Sequence, residues 1–420
     1  MFLELLINIY KKTKKTFKFI FDIYNKDDKK VINFLGFKFK FKKNKKYLKV
    51  CQKKQIINNK IVFCNFLGKS YGCNPKYIAE EIIKRNLPYE LIWLISKKSF
   101  KKNFPQNIRL VNVNSEKAWK ELASAKLWIS NCRMNMFFRK GLFKKEHQYY
   151  IQTWHGSLGI KKLDADVQNF IKDSNKSWVS QSKIDSQNMD YLISNSLFES
   201  RILPKAMWFN NKVQEYGHPR NDIFFNNNEQ IIRKIKNYYK INENYKIALY
   251  VPSFRDDQNL DWYTINYDRI LNSLNNKFGQ DWVFLARLHP KIKYFKLKQK
   301  NKNIINATDY PDIQELLVAS DIVITDYSSC IFDFMLSRKP AFIYATDIEK
   351  YNNERGFYYP LDSTPFPIAT NNDEMIENIK NFNYEQYKIE VEKFLEEKGC
   401  MEDGKASERV VDLIEEIIGK

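Results

Sequence analysis

From about residue 60 the chain alternates apolar runs with amphipathic stretches. IVFCNFLG (61–68), LIWLIS (91–96), IRLVNV (108–113), KLWISN (126–131), YYIQTW (149–154) and MDYLISNS (189–196) read as buried strands. NPKYIAEEIIKRN (74–86), between the first two, predicts a helix with Pro75 near its first turn. Residues 226–245 read as helix and linker. The alternation then resumes with KIALYVPS (246–253), WVFLARLHP (282–290), NIINAT (303–308), DIVITDYSS (321–329) and AFIYATD (341–347). Helices are expected near 266–276, 311–319 and 330–338, and the charged end, 373–420, is helical by pattern. Strand followed by helix, repeated, predicts α/β domains with parallel sheets.

The first 46 residues break this pattern. Phe2, Leu3, Leu5, Leu6, Ile9, Tyr10, Phe17 and Phe19 to Phe21 sit among Lys11, Lys12, Lys14, Lys15 and Lys18. As a helix over 2–24, this gives an apolar face edged by lysines. Such a helix lies in a membrane interface or packs its apolar face on the domain. The alternation Phe37 to Lys42 then reads as a short amphipathic hairpin or edge strand.

Composition sharpens the picture. The 420 residues suggest two domains of ordinary size. The expected division is a basic segment over 1–46, one Rossmann-like domain over 47–225, a second over 240–375, and C-terminal helices over 376–420. The formal charge of +21 implies anionic company. Residues 1–46 hold 14 lysines against four acids, nearly half of that surplus. The six cysteines form no CxxC pair and only four histidines exist, which argues against a Cys/His zinc site and a disulfide scaffold. No apolar run is long enough to span a bilayer, and the start lacks the marks of a signal peptide. The sequence has neither GxxxxGK[ST] nor, after the first strand, GxGxxG, which disfavours P-loop and dinucleotide chemistry. Asp164 and Asp166 have metal-binding spacing but lie in a charged segment, so no metal and no cofactor are expected.

In sheets of this kind ligands sit at the carboxyl ends of the strands, and the unusual polar residues fall there. His155 follows YYIQTW and precedes Gly156, Ser157 and two lysines, Lys161 and Lys162. An imidazole there can take a proton near neutral pH, and nearby N–H groups and lysines can hold phosphate oxygens. Taken alone, it could equally be a structural histidine in a strand-to-helix turn. Arg287 and His289, two residues apart, point to one side of a strand end and suit a pyrophosphate. Ser253 and Arg255 follow another strand. Thr325, Asp326, Ser328 and Ser329 mark a strand-to-helix turn, an anion site or a plain N-cap. His218, Arg220 and Asn221 lie in a turn near the linker, and His218 receives no catalytic role.

Two Rossmann-like halves joined by a linker suggest the GT-B architecture, with a cleft between lobes. The sequence also resembles the CDP-glycerol glycerophosphotransferase family of teichoic-acid primases and polymerases. The resemblance rests on TWHGSLGIKKLDAD (153–166), YGHPRND (216–222), YVPSFRDD (250–257), RLHP (287–290), TDYSSCIFDF (325–334) and RGFYYP (355–360), with GKSYGCNPKYIAEEI (68–82) ahead of them. Together these blocks cover about 60–400 in the family's order. The family usually reads HGTPLKKLG, whereas this chain has HGSLGIKKLD. The resemblance implies a peripheral enzyme at the cytoplasmic face of the membrane that moves a polyol phosphate from a CDP-polyol to a lipid-linked glycan or polyol-phosphate acceptor. It implies His155 as general base and Arg287 and His289 around the donor pyrophosphate. It places Ser328, Ser329, Asp333, Arg220, Pro252 and Ser253 at the donor. Trp154, Gly156, Ser157, Lys161, Asn221, Arg255 and Thr325 complete the expected substrate-binding set.

Two other classes compete. One is a GT-B glycosyltransferase using a nucleotide sugar. The other is a non-catalytic basic protein that binds membrane or nucleic acid. The second is weakened because the lysines crowd the first 46 residues and no nucleic-acid-binding motif appears, so nucleic acid is not an expected partner.

Overall fold

The computed structural model describes residues 21–26, 29–34, 37–42, 47–99, 104–167, 176–255, 263–288 and 301–419. Three sheets organise them. Strands β1 (Phe21–Lys26), β2 (Lys29–Phe34) and β3 (Phe37–Lys42) form an antiparallel meander, with Phe21 opposite Phe34 and Phe34 opposite Phe37. The expected edge strand is β3. The helix expected over 2–24 is corrected at its end, because Phe21 to Tyr24 are strand. Aromatic and β-branched residues there pair with β2 in place of coiling. Residues 1–20 lie outside the described residues.

The first lobe is built on a seven-stranded parallel sheet. Its strands are β4 (Ile57–Cys64), β5 (Glu90–Ile95), β6 (Ile108–Asn112), β7 (Ala125–Ser130), β8 (Tyr149–Gln152), β9 (Tyr191–Ser194) and β10 (Gln214–Glu215), in the order β10-β9-β8-β7-β4-β5-β6. The second lobe has six parallel strands: β11 (Lys246–Val251), β12 (Trp282–Ala286), β13 (Ile304–Asn306), β14 (Ile322–Thr325), β15 (Ala341–Tyr344) and β16 (Ile368–Ala369). Their order is β13-β12-β11-β14-β15-β16. In each sheet the strand order reverses direction once, between β4 and β7 and between β11 and β14. A crevice opens at such switch points, outside the carboxyl ends of the strands. These are the two Rossmann-like lobes that the alternating pattern predicts.

The strands read as continuous apolar runs because both faces are covered. Val62, Cys64, Ile92, Leu94 and Trp128 pack on one face of the first sheet, while Ile61, Phe63, Leu91, Trp93 and Ile129 pack on the other. This second face is closed by the last helix, Ala406–Gly419, through Val410, Val411, Leu413, Ile414 and Ile417. The chain therefore crosses between lobes twice, once after β10 and once near residue 400. Arg85, next to the helix Cys73–Lys84, fixes the returning helix through Asp412 at 2.6 Å and Glu415 at 2.9 Å.

Buried ion pairs join the lobes. Lys76 lies 2.7 Å from Asp312 and 3.0 Å from Glu315. Arg220 reaches Asp333 with two nitrogens, at 2.9 and 3.1 Å. Among the described residues no helix is long and apolar enough to cross a membrane.

Since Ile414 is fully buried on the first lobe, Ile414→Ala is expected to lower stability by about 2–5 kcal/mol in urea unfolding. Glu416→Ala, on the exposed side of the same helix, should change it by less than about 0.5 kcal/mol. Equal, small effects would show that the last helix is not part of the first lobe.

Candidate active site between the lobes

His155 stands just past β8, against the switch point of the first sheet. Its Nδ1 is 2.6 Å from the carbonyl oxygen of Asn131, the residue after β7. A carbonyl only accepts, so Nδ1 carries the hydrogen and donates it, leaving Nε2 with a free lone pair. Asn131 is itself held: its Oδ1 accepts from Phe66 N at 2.8 Å and its Nδ2 donates to Asn65 Oδ1 at 2.7 Å. The imidazole packs against the rings of Trp154 and Phe66, at 4.3 and 5.2 Å between centroids. Burial, with the positive charges of Arg220 and Lys161, lowers its pKa from 6.5 to about 4, against the opposing pull of the Asn131 carbonyl.

The turn that carries His155 is tightly determined. Trp154 and Leu158 both adopt the left-handed region, at φ 54° and 41°, which non-glycine residues enter only when their surroundings impose it. A Cβ on Gly156 would meet Trp154 Nε1 at 2.8 Å, so any larger residue would push the Trp154 ring off its place against His155. Asn74 Nδ2 donates to the Thr153 and Trp154 carbonyls, and its Oδ1 accepts from Arg220 N. Arg220 Nη2 donates to the Gly156 carbonyl at 2.7 Å. Ser157 is buried and accepts from Asn195. The Tyr359 hydroxyl donates to the Leu158 carbonyl. Beyond the turn, Ile160 and Lys162 bond to Tyr358 and Gly356 of the second lobe, and Lys161 bridges antiparallel to Phe357. This one segment thus spans the cleft.

The expected residues of the second lobe divide by what their charges face. Arg255 is buried, with two nitrogens on Asp347 at 2.6 and 2.8 Å and a third on Asp326 at 2.9 Å, and it stacks on Tyr327 and Tyr351. Arg220 and Asp333 are likewise committed to each other. These three, expected at the donor, are each held in a buried ion pair in the structure. Asn221 is buried between Glu402 and Gln314, and Thr325 Oγ1 donates to the Val251 carbonyl. Pro252 is buried, and Ser253 N donates to both oxygens of Asp326, at 2.9 Å each, at the second sheet's switch point.

Two cations differ. Lys161 Nζ has no acceptor among the described residues, and burial with Arg355 nearby lowers its pKa to about 8. Arg287 donates to the Tyr310 carbonyl and has no carboxylate in hydrogen-bond contact among the described residues; its Nε is buried and without a partner among them, and burial lowers its pKa against the pull of Asp312. The Ser328–Ser329 turn stands at the end of β14, the strand next to β11. That turn is partly exposed, and Ser329 does not cap the following helix, Cys330–Met335, with its side chain. Ser253 Oγ is buried without a partner. The site therefore pairs a neutral imidazole with uncommitted cationic and hydroxyl donors, an arrangement suited to a phosphorylated anion. His289 lies outside the described residues.

Asn131, Asn74, Asp347 and Glu402 were not among the expected site residues, and Asp326 was expected only as part of the turn after β14. Asn131 and Asp326 sit at strand ends, where the same positional rule applies to them. Asn74, Asp347 and Glu402 act through partners distant in sequence, with no local signal. Asp164 and Asp166 bond to Arg133 and Tyr358. No group of three or more His, Cys, Asp or Glu among the described residues is arranged to hold a metal ion.

A pKa lowered to about 4 means that the unfolded chain binds more protons than the folded one between about pH 4 and 6.5. This histidine's contribution to stability is therefore present above pH 6.5 and is lost as pH falls through that window. In proton NMR of the ligand-free protein, the His155 ring should titrate near pH 4. A midpoint at 6 or above would contradict the burial of this ring.

A family model described as CDP-glycerol:poly(glycerophosphate) glycerophosphotransferase matches residues 46–416. A teichoic acid poly(glycerol phosphate) polymerase of Bacillus subtilis is 32% identical over 376 residues, covering 84% of this chain and 48% of that protein. The protein of the same description from Bacillus spizizenii is 33% identical over 383 residues, covering 86% and 92%. A teichoic acid glycerol-phosphate transferase of Staphylococcus aureus is 32% identical over 371 residues, covering 85% and 92%. This chain thus spans about half the length of the B. subtilis polymerase. Among solved structures, the wall teichoic acid polymerase TagF superposes with a TM-score of 0.76 at 32% identity, covering 87% of this chain and 90% of that one. A variant of it soaked with CDPG gives 0.78 at 30% identity, covering 89% and 93%. With these matches running from the basic segment's end into the last helix, the chain belongs to the CDP-glycerol:poly(glycerophosphate) glycerophosphotransferase family.

Proposed function

We propose that this chain transfers a polyol phosphate, glycerol phosphate first among the candidates, from a CDP-polyol to a hydroxyl of a membrane-linked glycan or teichoic-type acceptor, releasing CMP. The observation that carries this reading is His155, its Nδ1 held by the Asn131 carbonyl and its Nε2 free, on the same segment as Lys161, which has no acceptor among the described residues and bridges to Phe357 of the second lobe. A diphosphate donor supplies the negative charge that these groups lack.

In the reaction, the acceptor hydroxyl attacks the β-phosphorus of the donor. His155 Nε2 takes the hydroxyl proton as the new P–O bond forms. The bond from that phosphorus to the CMP oxygen breaks, and CMP leaves with the electron pair. Lys161, Arg287 and the serine hydroxyls offset the charge that grows on CMP, and His289 is assigned to the same leaving group. In the empty site His155 is neutral near pH 7, as a base must be. The bound diphosphate then raises its proton affinity, since an anion nearby favours the imidazolium. The first lobe takes the acceptor and the second the donor. The basic segment over 1–46 holds the enzyme at the cytoplasmic, anionic surface of the membrane, where a lipid-linked acceptor lies.

The test is CMP release from a panel of CDP-alcohols by purified protein. His155→Ala should lower turnover by roughly 10²–10⁴-fold with the fold intact by circular dichroism. Lys161→Ala should lower kcat as well as raise KM for the donor, because its charge meets the diphosphate both bound and departing. Release of UDP from a nucleotide sugar, with no CMP from any CDP-alcohol, would move the chain to the glycosyltransferase class.

A further inference from the structure

Behind the His155 turn lies a buried polar network that the reaction does not use directly. Its centre is Glu402, on the segment that carries the chain back to the first lobe. Glu402 Oε1 accepts from Asn195 Nδ2 at 2.9 Å and from Asn221 Nδ2 at 2.7 Å, and Oε2 accepts from His218 N at 3.1 Å. His218 and Asn221 belong to the outgoing crossing, and Asn195 follows β9. The same Asn195 Nδ2 donates to Ser157 Oγ at 2.7 Å, two residues beyond His155. One carboxyl group therefore gathers the outgoing crossing, the returning crossing and the turn of the proposed base.

Two details show that the chain accommodates this group. Gly217 has φ +83°, and a Cβ there would stand 2.9 Å from Glu402 Oε2. Asn195 Oδ1 is buried without a partner. Its amide is oriented so that Nδ2 serves Glu402 and Ser157 together, and the carbonyl side is left unpaired. The backbone repeats the connection: Met401 N donates to the Asn195 carbonyl at 2.8 Å, and Ser196 bridges to Cys400. Burial raises the Glu402 pKa to about 7. Its oxygens therefore matter as acceptors more than its charge does.

We propose that Glu402 is a positioning residue for His155, acting through Asn195 and Ser157 to fix the imidazole while tying its turn to both connections between the lobes. The proposal rests on the general-base reading above, and the experiment separates the two.

Turnover is measured as CMP release from CDP-glycerol with a short glycerol phosphate oligomer as acceptor, in the full chain. Glu402→Ala should lower kcat by roughly 10–100-fold, because a displacement near 1 Å at a reacting group has that scale of effect. KM for the donor should stay within about twofold, because uniform binding is untouched. Glu402→Gln keeps Oε1 as acceptor for both asparagines, loses only the bond that Oε2 accepts from His218 N, and should stay well above Glu402→Ala, with kcat within about threefold. In the His155→Ala background, Glu402→Ala should add less than about twofold, because both changes act on one group. Asn195→Ala removes the relay while leaving the hinge bonds to Asn221 and His218. It should match Glu402→Ala and serves in its place if that variant does not fold. An equal further loss in the His155→Ala background, or a Glu402→Gln variant as slow as Glu402→Ala, would overturn the proposal. Full activity of His155→Ala would instead overturn the general-base reading.

Discussion

The buried ion pair between Arg220 and Asp333 sets the conditions for everything at the cleft. It joins the lobes with two hydrogen bonds between nearly unexposed groups, and its third contact is the carbonyl of Gly156. Removing one partner of such a pair commonly costs about 3–5 kcal/mol, because the other charge is left buried and alone. The lobes and the His155 turn are therefore determined together. The Lys76 cluster with Asp312 and Glu315 adds a second clamp on the neighbouring edge. A two-lobed fold needs such constraints, because reacting groups contributed by separate sheets must keep a separation fixed to a fraction of an ångström.

The distribution of charge within the cleft follows from this. Cations that hold the architecture have carboxylates beside them: Arg220 with Asp333, and Arg255 with Asp326 and Asp347. Lys161 and Arg287 have none in hydrogen-bond contact among the described residues. Burial works against the charge of the second kind, so each would gain from a nearby anion. Proximity to the site does not distinguish the two classes, and neither does residue type. Only the partner does.

This distinction explains what the sequence could and could not convey. The strands were legible because parallel strands covered on both faces are continuous apolar runs, and the helices because their periodicity and caps are local. His155, Ser253 and Thr325 were legible because the carboxyl ends of strands follow from the strands themselves. The roles of Arg220, Asp333 and Arg255 were not. Asp333 lies 113 residues from Arg220, and Asp347 lies 92 from Arg255. A motif records that an arginine is present, not whether a distant carboxylate already occupies it. The stretch from Phe21 to Tyr24 failed for another reason: its aromatic and β-branched residues suit a strand, and only pairing with β2 decides between strand and helix.

The return of the helix Ala406–Gly419 to the first lobe has a consequence for biosynthesis. A lobe whose residues were contiguous could close as soon as it left the ribosome. Here one face of the first sheet is covered in part by Ile78, Ala79 and Ile82 of the helix Cys73–Lys84, and its remainder waits for Ile414 and Ile417. The second lobe, complete earlier in the chain, is then free to fold first. Between the making of β10 and that of the helix Ala406–Gly419, part of that face stays open, and the returning helix completes its cover.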